Sequence, residues 1–383
     1  MKKTAFIIGS IIMIGLLVSA FFYFKASMGV PVSTTGAVIE LKNFSALKGE
    51  HCESSAMLNA LHYQGVDLSE NLINGFGSSM SFNLILNSGF PFLGTRNTYM
   101  KENFQKATGI NFLELKSTNP QQAYDLAKQV LKRGIPVVLR VDMRYLPYLW
   151  NGRYGSKYTS FGWHFVTLVK LDERAGYAWV TDTSRGLCRI KIPDLMKARS
   201  SQEGQFKADN YAYYFVNPAA VRIDYQAALK HSLKTIINEY QKTDGTLAQL
   251  HQLPKNIENI EAFLSSKYML KSLFFTFYGY IDEFGTGGNG FRDFYRDFLQ
   301  ELGLKLNNSS ISISQTALAV DQSCQQWHTL AAEFKKISEI IDKYYGNTKK
   351  RSALYRKAAE AARDLYLVET EMLNQIKNLN DHL

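Results

Sequence analysis

The chain has 383 residues, 46% of them hydrophobic, and a formal net charge of +10. This composition excludes large-scale disorder, and the length allows two domains with separate cores. The basic balance suits an anionic lipid surface or an anionic substrate, although ordinary solubility explains it more simply. The sequence has no long basic run, so nucleic-acid binding is not expected.

Cysteine and histidine are too scattered to indicate a cross-link or a metal centre. Cys52, Cys188 and Cys324 lie far apart, without the close pairs of a zinc site or a redox motif. A single disulfide would leave an odd thiol, so a disulfide framework is not expected. The seven histidines do not cluster either. The sequence therefore predicts no metal and no cofactor.

The N-terminus predicts a segment that enters a membrane. Two lysines precede twenty uncharged, mostly apolar residues, from Ala5 to Phe24, and Lys25 ends the run. Twenty helical residues span about 30 Å, the thickness of a bilayer core, and basic residues before them favour an exported body. We expect residues 1–27 to anchor the protein on the periplasmic or extracellular side. The alternative is a signal segment cleaved after Ala20, which would release a secreted protein.

Residues 28–218 carry the pattern of a mixed domain. Helical periodicity covers residues 53–64 and 120–133, and residues 75–79 form a glycine-rich, flexible loop. Later β-branched and apolar runs predict strands, two of which form a hairpin around residues 172–176. The strand candidates are residues 37–41, 135–141, 161–170, 177–181 and 211–216. Helices followed by an antiparallel sheet indicate an α+β fold.

Residues 219–383 are predicted to form an all-α domain. The segments with 3.6-residue periodicity lie near residues 219–243, 255–279, 290–303, 312–345 and 350–379. One unusual loop, residues 285–290, contains four glycines before a helix. Such a loop can cradle a phosphate or another anion, or it can let the helix pack closely against the first domain. We favour packing.

Cys52 is the candidate nucleophile. A polar loop ends at this residue, and an apolar helical pattern begins directly after it. Backbone N–H groups and the helix dipole favour a thiolate there, and a thiolate can form a covalent intermediate. The alternative is a small buried hydrophobic residue, as many cysteines are. We expect the side chain of His51 to point away from the thiol, so that it is not the base but can depress the thiol pKa or contact substrate.

His164 and Asp182 complete a candidate catalytic row. His164 lies in an aromatic and β-branched strand, where an imidazole needs a hydrogen-bond partner. Asp182 ends the following strand, so the hairpin would bring the two side chains together. A nucleophile needs a base and a group that orients the base, and Cys52, His164 and Asp182 occur in the order typical of papain-like enzymes. Alone, His164 could equally be a satisfied core histidine.

Short motifs along the chain extend this pattern. They comprise residues 50–57, 75–77 and 141–148, the strands of His164 and Asp182, and residues 285–288, 291–292, 295 and 298–299. With these motifs the sequence resembles the N-terminal domain family of butirosin biosynthesis protein H, followed by the helical domain of unknown function that often accompanies it. The resemblance covers nearly everything after residue 40.

The resemblance implies a papain-like or C39-peptidase-like fold and acyl transfer through a cysteine acyl-enzyme. Carried over, Cys52 is the nucleophile, His164 the base and Asp182 the orienting residue. The family's namesake moves an aminoacyl-type group from a carrier-protein thioester to an amine. The resemblance places Asp142, Tyr145 and Tyr148 on the acceptor side of the site. His51, Gly75 and Gly77 complete the predicted substrate-binding residues. Asp142 could instead cap a turn before Pro147.

Two departures limit the carry-over. Papain-like enzymes commonly place a glutamine about six residues before the cysteine to donate to the oxyanion, and Ala46 occupies that position. The oxyanion donors would then be the Cys52 N–H and a group from residues 75–79. The membrane segment also argues against a carrier-protein donor, which favours a lipid, a peptide or a released thioester, with an amine or water as acceptor.

Two alternatives stay open alongside an acyltransferase or an ester or amide hydrolase. The first is a C39-like cysteine peptidase, which would use the same residues. The second is a catalytically silent binding or scaffold protein, which the missing glutamine keeps open. The oligomeric state does not follow from the sequence.

Overall fold

The structure is a computed structural model that describes residues 36–86, 91–150, 157–264, 266–306 and 311–383. Within these residues it has the predicted α+β class, with an antiparallel sheet in the N-terminal region and a helical C-terminal region. The predicted hairpin is present, because its two strands are joined by a short turn in which Gly176 has a φ of 75°. Only glycine adopts such a φ without strain.

The strands form one large and one small sheet. They are β1 (Val38–Glu40), β2 (Met80–Ile85), β3 (Phe92–Arg96), β4 (Phe112–Leu115), β5 (Val137–Val141), β6 (His164–Asp172), β7 (Tyr177–Asp182), β8 (Gly186–Lys191) and β9 (Ala212–Phe215). The large sheet has the order β4-β9-β5-β6-β7-β8, and β1 pairs with the far end of β6. All pairs are antiparallel, and β2 and β3 form the separate small sheet.

The helices cover the sheet and build the C-terminal region. They are α1 (Cys52–Tyr63), α2 (Glu70–Phe76), α3 (Met100–Thr108), α4 (Pro120–Lys132), α5 (Ile192–Ser200), α6 (Tyr225–Gln241), α7 (Thr246–Glu258), α8 (Lys267–Asp282), α9 (Arg292–Lys305), α10 (Ile311–Tyr344) and α11 (Thr348–Asp381). The one helix predicted over residues 255–279 is wrong, because α7 ends at Glu258 and a 3-10 turn separates it from α8.

One hydrophobic cluster joins the N-terminal helices to the C-terminal region. It includes Leu61 of α1 and Phe76 of α2 together with Phe298 of α9 and Met372 of α11. Each of these side chains is fully buried, and burying such side chains is the main favourable contribution to folding. The division into residues 28–218 and 219–383 stays a prediction. The shared cluster packs α9 against α2, the helix that follows the one bearing Cys52.

The predicted membrane anchor requires correction. Residues 1–27 lie outside the described residues, and no helix among the described ones is both long and apolar enough to cross a bilayer. The two 34-residue helices α10 and α11 have the length, but polar and charged residues recur along both, and such side chains are costly in hydrocarbon. The membrane anchor, the membrane partner and the periplasmic or secreted localisation therefore have no support among the described residues.

Candidate active site

The N-terminus of α1 presents the Cys52 thiol. His51 caps this helix, because its Nδ1 accepts a hydrogen bond from the Ser54 N–H at 3.3 Å. Cys52 is the first helical residue and is half-buried. Further along the helix, the Ala56 carbonyl accepts a hydrogen bond from Thr167 Oγ1 at 2.8 Å. This bond fixes α1 on strand β6, which carries His164.

Glu70, at the start of α2, holds the segment that leads into Cys52. Its Oε2 accepts from the Glu50 N–H at 2.9 Å, and its Oε1 accepts from the His51 N–H at 3.0 Å. The same Oε1 accepts from Ser54 Oγ at 2.7 Å. One carboxylate thus fixes the backbone on both sides of the cysteine. The sequence analysis missed this role, since no local pattern links residue 70 to residues 50–54.

His164 and Asp182 lie side by side, as the hairpin predicted. His164 begins β6 and Asp182 ends β7. Nε2 of His164 is 3.0 Å from both carboxylate oxygens of Asp182. The two residues are 7% and 1% exposed, so water screens this pair only weakly. Because Nε2 is occupied by the carboxylate, Nδ1 is the ring nitrogen that remains for a proton exchange with Cys52.

Electrostatics at this site favour a charged pair. Burial alone would raise the pKa of the Cys52 thiol, but the charge of His51 and the interactions with His164 lower this pKa well below its ordinary value. Burial alone would lower the pKa of His164, but Asp182 raises it above its ordinary value. Both shifts favour a Cys52 thiolate beside a protonated His164, which is the reactive form of a cysteine nucleophile.

The orientation predicted for His51 is wrong. The helix start turns its ring towards the thiol rather than away, and Nε2 lies 3.8 Å from Cys52 Sγ. Arg96 Nη1 lies 3.3 Å from the same Nε2 and donates to Glu53 Oε2 at 2.6 Å. Glu53 and Arg96 were not singled out from the sequence. The ring of His51 therefore belongs to the immediate surroundings of the sulfur.

Comparison with known proteins identifies two domain families along the chain. Residues 51–183 match the family described as Butirosin biosynthesis protein H, N-terminal. Residues 193–376 match the Domain of unknown function (DUF4872). The chain carries these two domains in that order. No curated protein matches the chain.

The butirosin biosynthesis protein H N-terminal domain is acyltransferase-related, and its matched range contains the whole row of Cys52, His164 and Asp182. The DUF4872 domain begins before the last strand, because β9 (Ala212–Phe215) lies within its matched range and pairs with β4 and β5. The large sheet is therefore built from both matched regions. The recognition made from the sequence is confirmed for both domains.

The residues expected on the acceptor side of the butirosin biosynthesis protein H N-terminal domain have other partners. Asp142 is fully buried and accepts hydrogen bonds from two backbone N–H groups and two serine hydroxyls. One of these bonds caps the 3-10 turn Met143–Tyr145, which supports the structural alternative. The Tyr145 hydroxyl donates to Glu203. The Tyr148 hydroxyl donates to Asp182 Oδ2 at 3.0 Å, so Tyr148 contacts the row itself.

The glycines expected to bind substrate are packing residues. Residues 75–79 form the end of α2 and the turn that follows it, and all are buried, so the predicted flexible loop is wrong. A Cβ on Gly75 would lie 2.0 Å from the ring of Phe298, and one on Gly77 would lie 2.4 Å from Met100. The N–H groups of residues 77, 78 and 79 already donate to carbonyls of α2. This turn therefore supplies no free N–H for an oxyanion, contrary to the prediction.

The glycine loop of the DUF4872 domain packs against the first domain, as favoured. A Cβ on Gly285 would lie 3.2 Å from the Glu50 carbonyl oxygen, and one on Gly290 would lie 2.8 Å from Thr95. A Cβ on Gly288 would lie 2.5 Å from a carboxylate oxygen of Asp293. This negative charge beside the loop makes it a poor site for binding an anion. After the loop, the ring of Phe291 contacts the His51 ring edge-to-face with a centroid distance of 4.9 Å. The DUF4872 domain thus reaches the surroundings of Cys52.

Proposed function

We propose that the chain transfers an acyl group through a covalent intermediate on Cys52. The observation that carries the proposal is the row at the start of α1. The Cys52 thiol lies 4.0 Å from the carbonyl oxygen of Trp163 and interacts with the next residue, His164, and His164 in turn contacts Asp182. This arrangement joins a nucleophile, a base and an orienting carboxylate. The acyltransferase-related family supports the same reaction class.

In the first half-reaction the Cys52 thiolate attacks the carbonyl carbon of a thioester, ester or amide. The carbonyl oxygen takes the electron pair and becomes an oxyanion. When the carbonyl re-forms, the bond to the leaving group breaks, and His164 gives its proton to that group. The acyl group is then held as a thioester on Cys52. Asp182 stabilises the imidazolium before the proton leaves.

In the second half-reaction an amine attacks the acyl-enzyme. His164, now neutral, accepts the proton of the amine, the amide forms and the Cys52 thiolate is regenerated. Water could take the place of the amine, in which case the enzyme would be a hydrolase or a peptidase. We favour an amine because the family is acyltransferase-related.

Intact-mass measurement with a small acyl thioester tests the first half-reaction. The parent protein should gain the mass of one acyl group. Cys52→Ala should gain none, because it lacks the nucleophile. Cys188→Ala is the matched control, since Cys188 is a free cysteine of the same exposure class, and it should label like the parent. Full labelling of Cys52→Ala, or no labelling of the parent, would overturn the proposal.

Addition of a primary amine to the isolated acyl-enzyme tests the second half-reaction. Transfer predicts that the acyl mass moves from the protein to the amine faster than water removes it. If the release rate does not depend on amine concentration and only free acid forms, the chain is a hydrolase instead. The same sample therefore separates the two outcomes.

A further inference from the structure

A series of five aromatic rings leads away from the nucleophile. Its first member, Trp163, has its carbonyl oxygen 4.0 Å from the nucleophilic sulfur. The Trp163 ring contacts the ring of Phe206 with a centroid distance of 5.0 Å, and Phe206 contacts Phe92 at the same distance. Phe92 contacts Tyr280 at 5.1 Å, and Tyr280 contacts Phe284 at 5.6 Å. We call these five rings the aromatic surface.

Both matched domains contribute to the aromatic surface. Trp163 and Phe92 lie in the butirosin biosynthesis protein H N-terminal match, and the other three rings lie in the DUF4872 match. Where the two regions meet, the Gly162 N–H donates to the Phe206 carbonyl at 2.8 Å. A Cβ on Gly162 would lie 2.3 Å from that carbonyl oxygen. Glycine at this position therefore lets the chain of Phe206 approach Trp163.

The far end of the aromatic surface lies beside the segment that leads into the nucleophile. The ring of Phe284 folds onto α8, because a Cβ on Gly279 would lie 2.2 Å from it. The next residue, Gly285, has a φ of 73°, and its Cβ would lie 3.2 Å from the Glu50 carbonyl oxygen. Both ends of the surface thus lie near residues 50–52, and a group bound along it would remain close to the nucleophile.

The aromatic surface is partly open to solvent. Four of its rings are partly exposed, and the fifth, Phe206, is 8% exposed. The core rings of Phe76 and Phe298, by comparison, are both fully buried. Partly exposed aromatic side chains that contact one another beside a reactive group are typical of a ligand site.

The chemistry of the aromatic surface favours an uncharged aromatic group. A bound ring can add one more edge-to-face or offset contact to such a series. Arg140 lies over the Trp163 ring at 6.0 Å from the centroid. Its guanidinium already donates to the Ala208 carbonyl at 3.1 Å and pairs with Asp209 at 3.3 Å. The cation beside the surface is therefore satisfied by the protein, which does not favour an anionic ligand.

The sheet places the aromatic surface away from the carboxylate that orients the base. Strands β5 and β7 pair with opposite edges of β6. Asp182 ends β7 and contacts His164, whereas Trp163 lies against Arg140 of β5. The leaving group and the amine must reach His164 to exchange a proton. The acyl group stays on Cys52 in both half-reactions, so it is the part of the substrate that suits this surface.

We propose that the aromatic surface binds the acyl group of the donor and that this acyl group is aromatic. This inference rests on the proposed acyl transfer. It assigns to the DUF4872 domain a part in selecting the acyl group, since three of the five rings come from its matched range.

Two thioesters of N-acetylcysteamine test the aromatic surface, one with a phenylacetyl group and one with an acetyl group. Intact-mass measurement gives the acylation rate of Cys52 with each, divided by the rate of the same thioester with free cysteine. We expect the parent to prefer the phenylacetyl group by at least about 10-fold, which a single methylene can contribute in an apolar pocket. S-benzyl thioacetate carries the ring on its leaving group and should show no such preference.

Two substitutions at Tyr280 separate its ring from its hydroxyl. Tyr280→Leu removes the ring, and we expect the preference to fall roughly 2–12-fold, the worth of one aromatic contact. Tyr280→Phe should keep the preference, because the hydroxyl has no hydrogen-bond partner among the described residues. Tyr268→Leu is the matched control. It removes an 80% exposed tyrosine from the start of the same helix and should keep the preference of the parent.

The outcomes distinguish this inference from the proposed function. If neither thioester acylates the parent, acyl transfer fails and this inference fails with it. If both acylate the parent equally, the aromatic surface is only packing between the two regions, while acyl transfer stands. A preference for S-benzyl thioacetate would place the ring on the leaving group and overturn the assignment to the acyl group. A parent-like preference in Tyr280→Leu would overturn the part assigned to the DUF4872 domain. Thermal unfolding of each variant identifies any loss that comes from misfolding.

Discussion

Two buried networks in this molecule each pair a carboxylate with a basic side chain, but only one of them leads to a partly exposed group. In the helical region, Glu369 and Arg292 are both 0% exposed and form an ion pair. The carboxylate of Glu369 also accepts hydrogen bonds from Tyr240, Ser323 and Trp327. In the N-terminal region, Asp182 accepts from Tyr148 and pairs with His164, but the row continues to a half-buried thiol.

We call the fully buried network of Glu369 and Arg292 the closed network, and the one that reaches Cys52 the open network. The closed network stabilises the fold, whereas the open one is arranged for a reaction. Every side-chain oxygen of Glu369 has a donor, and although burial raises its pKa, Arg292 and the other donors lower it below its ordinary value. That charge is stable and has no access to a substrate. The Cys52 end has a nucleophile whose charge is stabilised by two histidines, while its face remains accessible. Buried charge serves architecture in the first case and chemistry in the second.

His164→Ala breaks the open network and should have the largest effect. It removes the proposed base, so we expect the acylation rate to fall about 10²–10⁴-fold, which corresponds to roughly 3–5 kcal/mol in activation free energy. Single-turnover kinetics with an acyl thioester measure it. His62→Ala removes an exposed histidine at the far end of α1 and should leave the rate unchanged. Parent-like acylation of His164→Ala would refute the proposed base.

Arg292→Met breaks the closed network. It leaves the Glu369 charge buried without its cation, and we expect a loss of about 3–5 kcal/mol in the free energy of unfolding. The double variant Arg292→Met with Glu369→Leu removes both charges and should be more stable than the single variant. Denaturant unfolding measures both values. If the single variant lost less than about 1 kcal/mol, the ion pair would be no more than a surface pair in energy.

Tyr148→Phe tests a supporting bond of the open network. The lost hydroxyl donates to Asp182 Oδ2 at 3.0 Å, and a hydrogen bond to a charged group contributes about 1.5–3 kcal/mol. We expect acylation to slow by up to about a hundredfold, because Asp182 would orient His164 less well. Tyr124→Phe is the matched control, since its hydroxyl donates at the same distance to Glu173, away from the row. Equal rates in both variants would make Tyr148 a packing residue.

The sequence predicted the parts of the fold that have strong local signals. The polar-to-apolar change at Cys52 marks the start of α1, and the turn at Gly176 joins the strands that bring His164 and Asp182 together. Short elements with weak periodicity were missed, such as β3 (Phe92–Arg96) and α5 (Ile192–Ser200). Local pattern thus predicted the row but only part of the chain around it.

The surroundings of the row depend on contacts between distant residues. Glu70 reaches back to the loop before Cys52, and Phe291 packs on His51 from the other matched domain. No spacing in the sequence indicates such contacts. Side-chain direction was equally out of reach, since Tyr148 was placed near the site but expected to face substrate rather than Asp182. Gly75 was expected to bind substrate, whereas its missing side chain leaves room for the ring of Phe298, which lies far away along the chain.

The pH dependence of alkylation at Cys52 and Cys188 tests the central claim most directly. Both are free cysteines of the same exposure class. Burial and the nearby Asp182 charge raise the pKa of Cys188 to about 11, whereas His51 and His164 outweigh burial and lower that of Cys52 well below its ordinary value. Mass spectrometry of the two peptides after iodoacetamide treatment gives both rates in one sample.

We predict that alkylation of Cys52 has already reached its plateau at neutral pH, below the ordinary thiol pKa of about 8.5. Alkylation of Cys188 should still be rising in alkaline solution. If the rates at Cys52 and Cys188 instead rose together with increasing pH, Cys52 would be an ordinary thiol. The account of an open charged network at the helix start would then be contradicted.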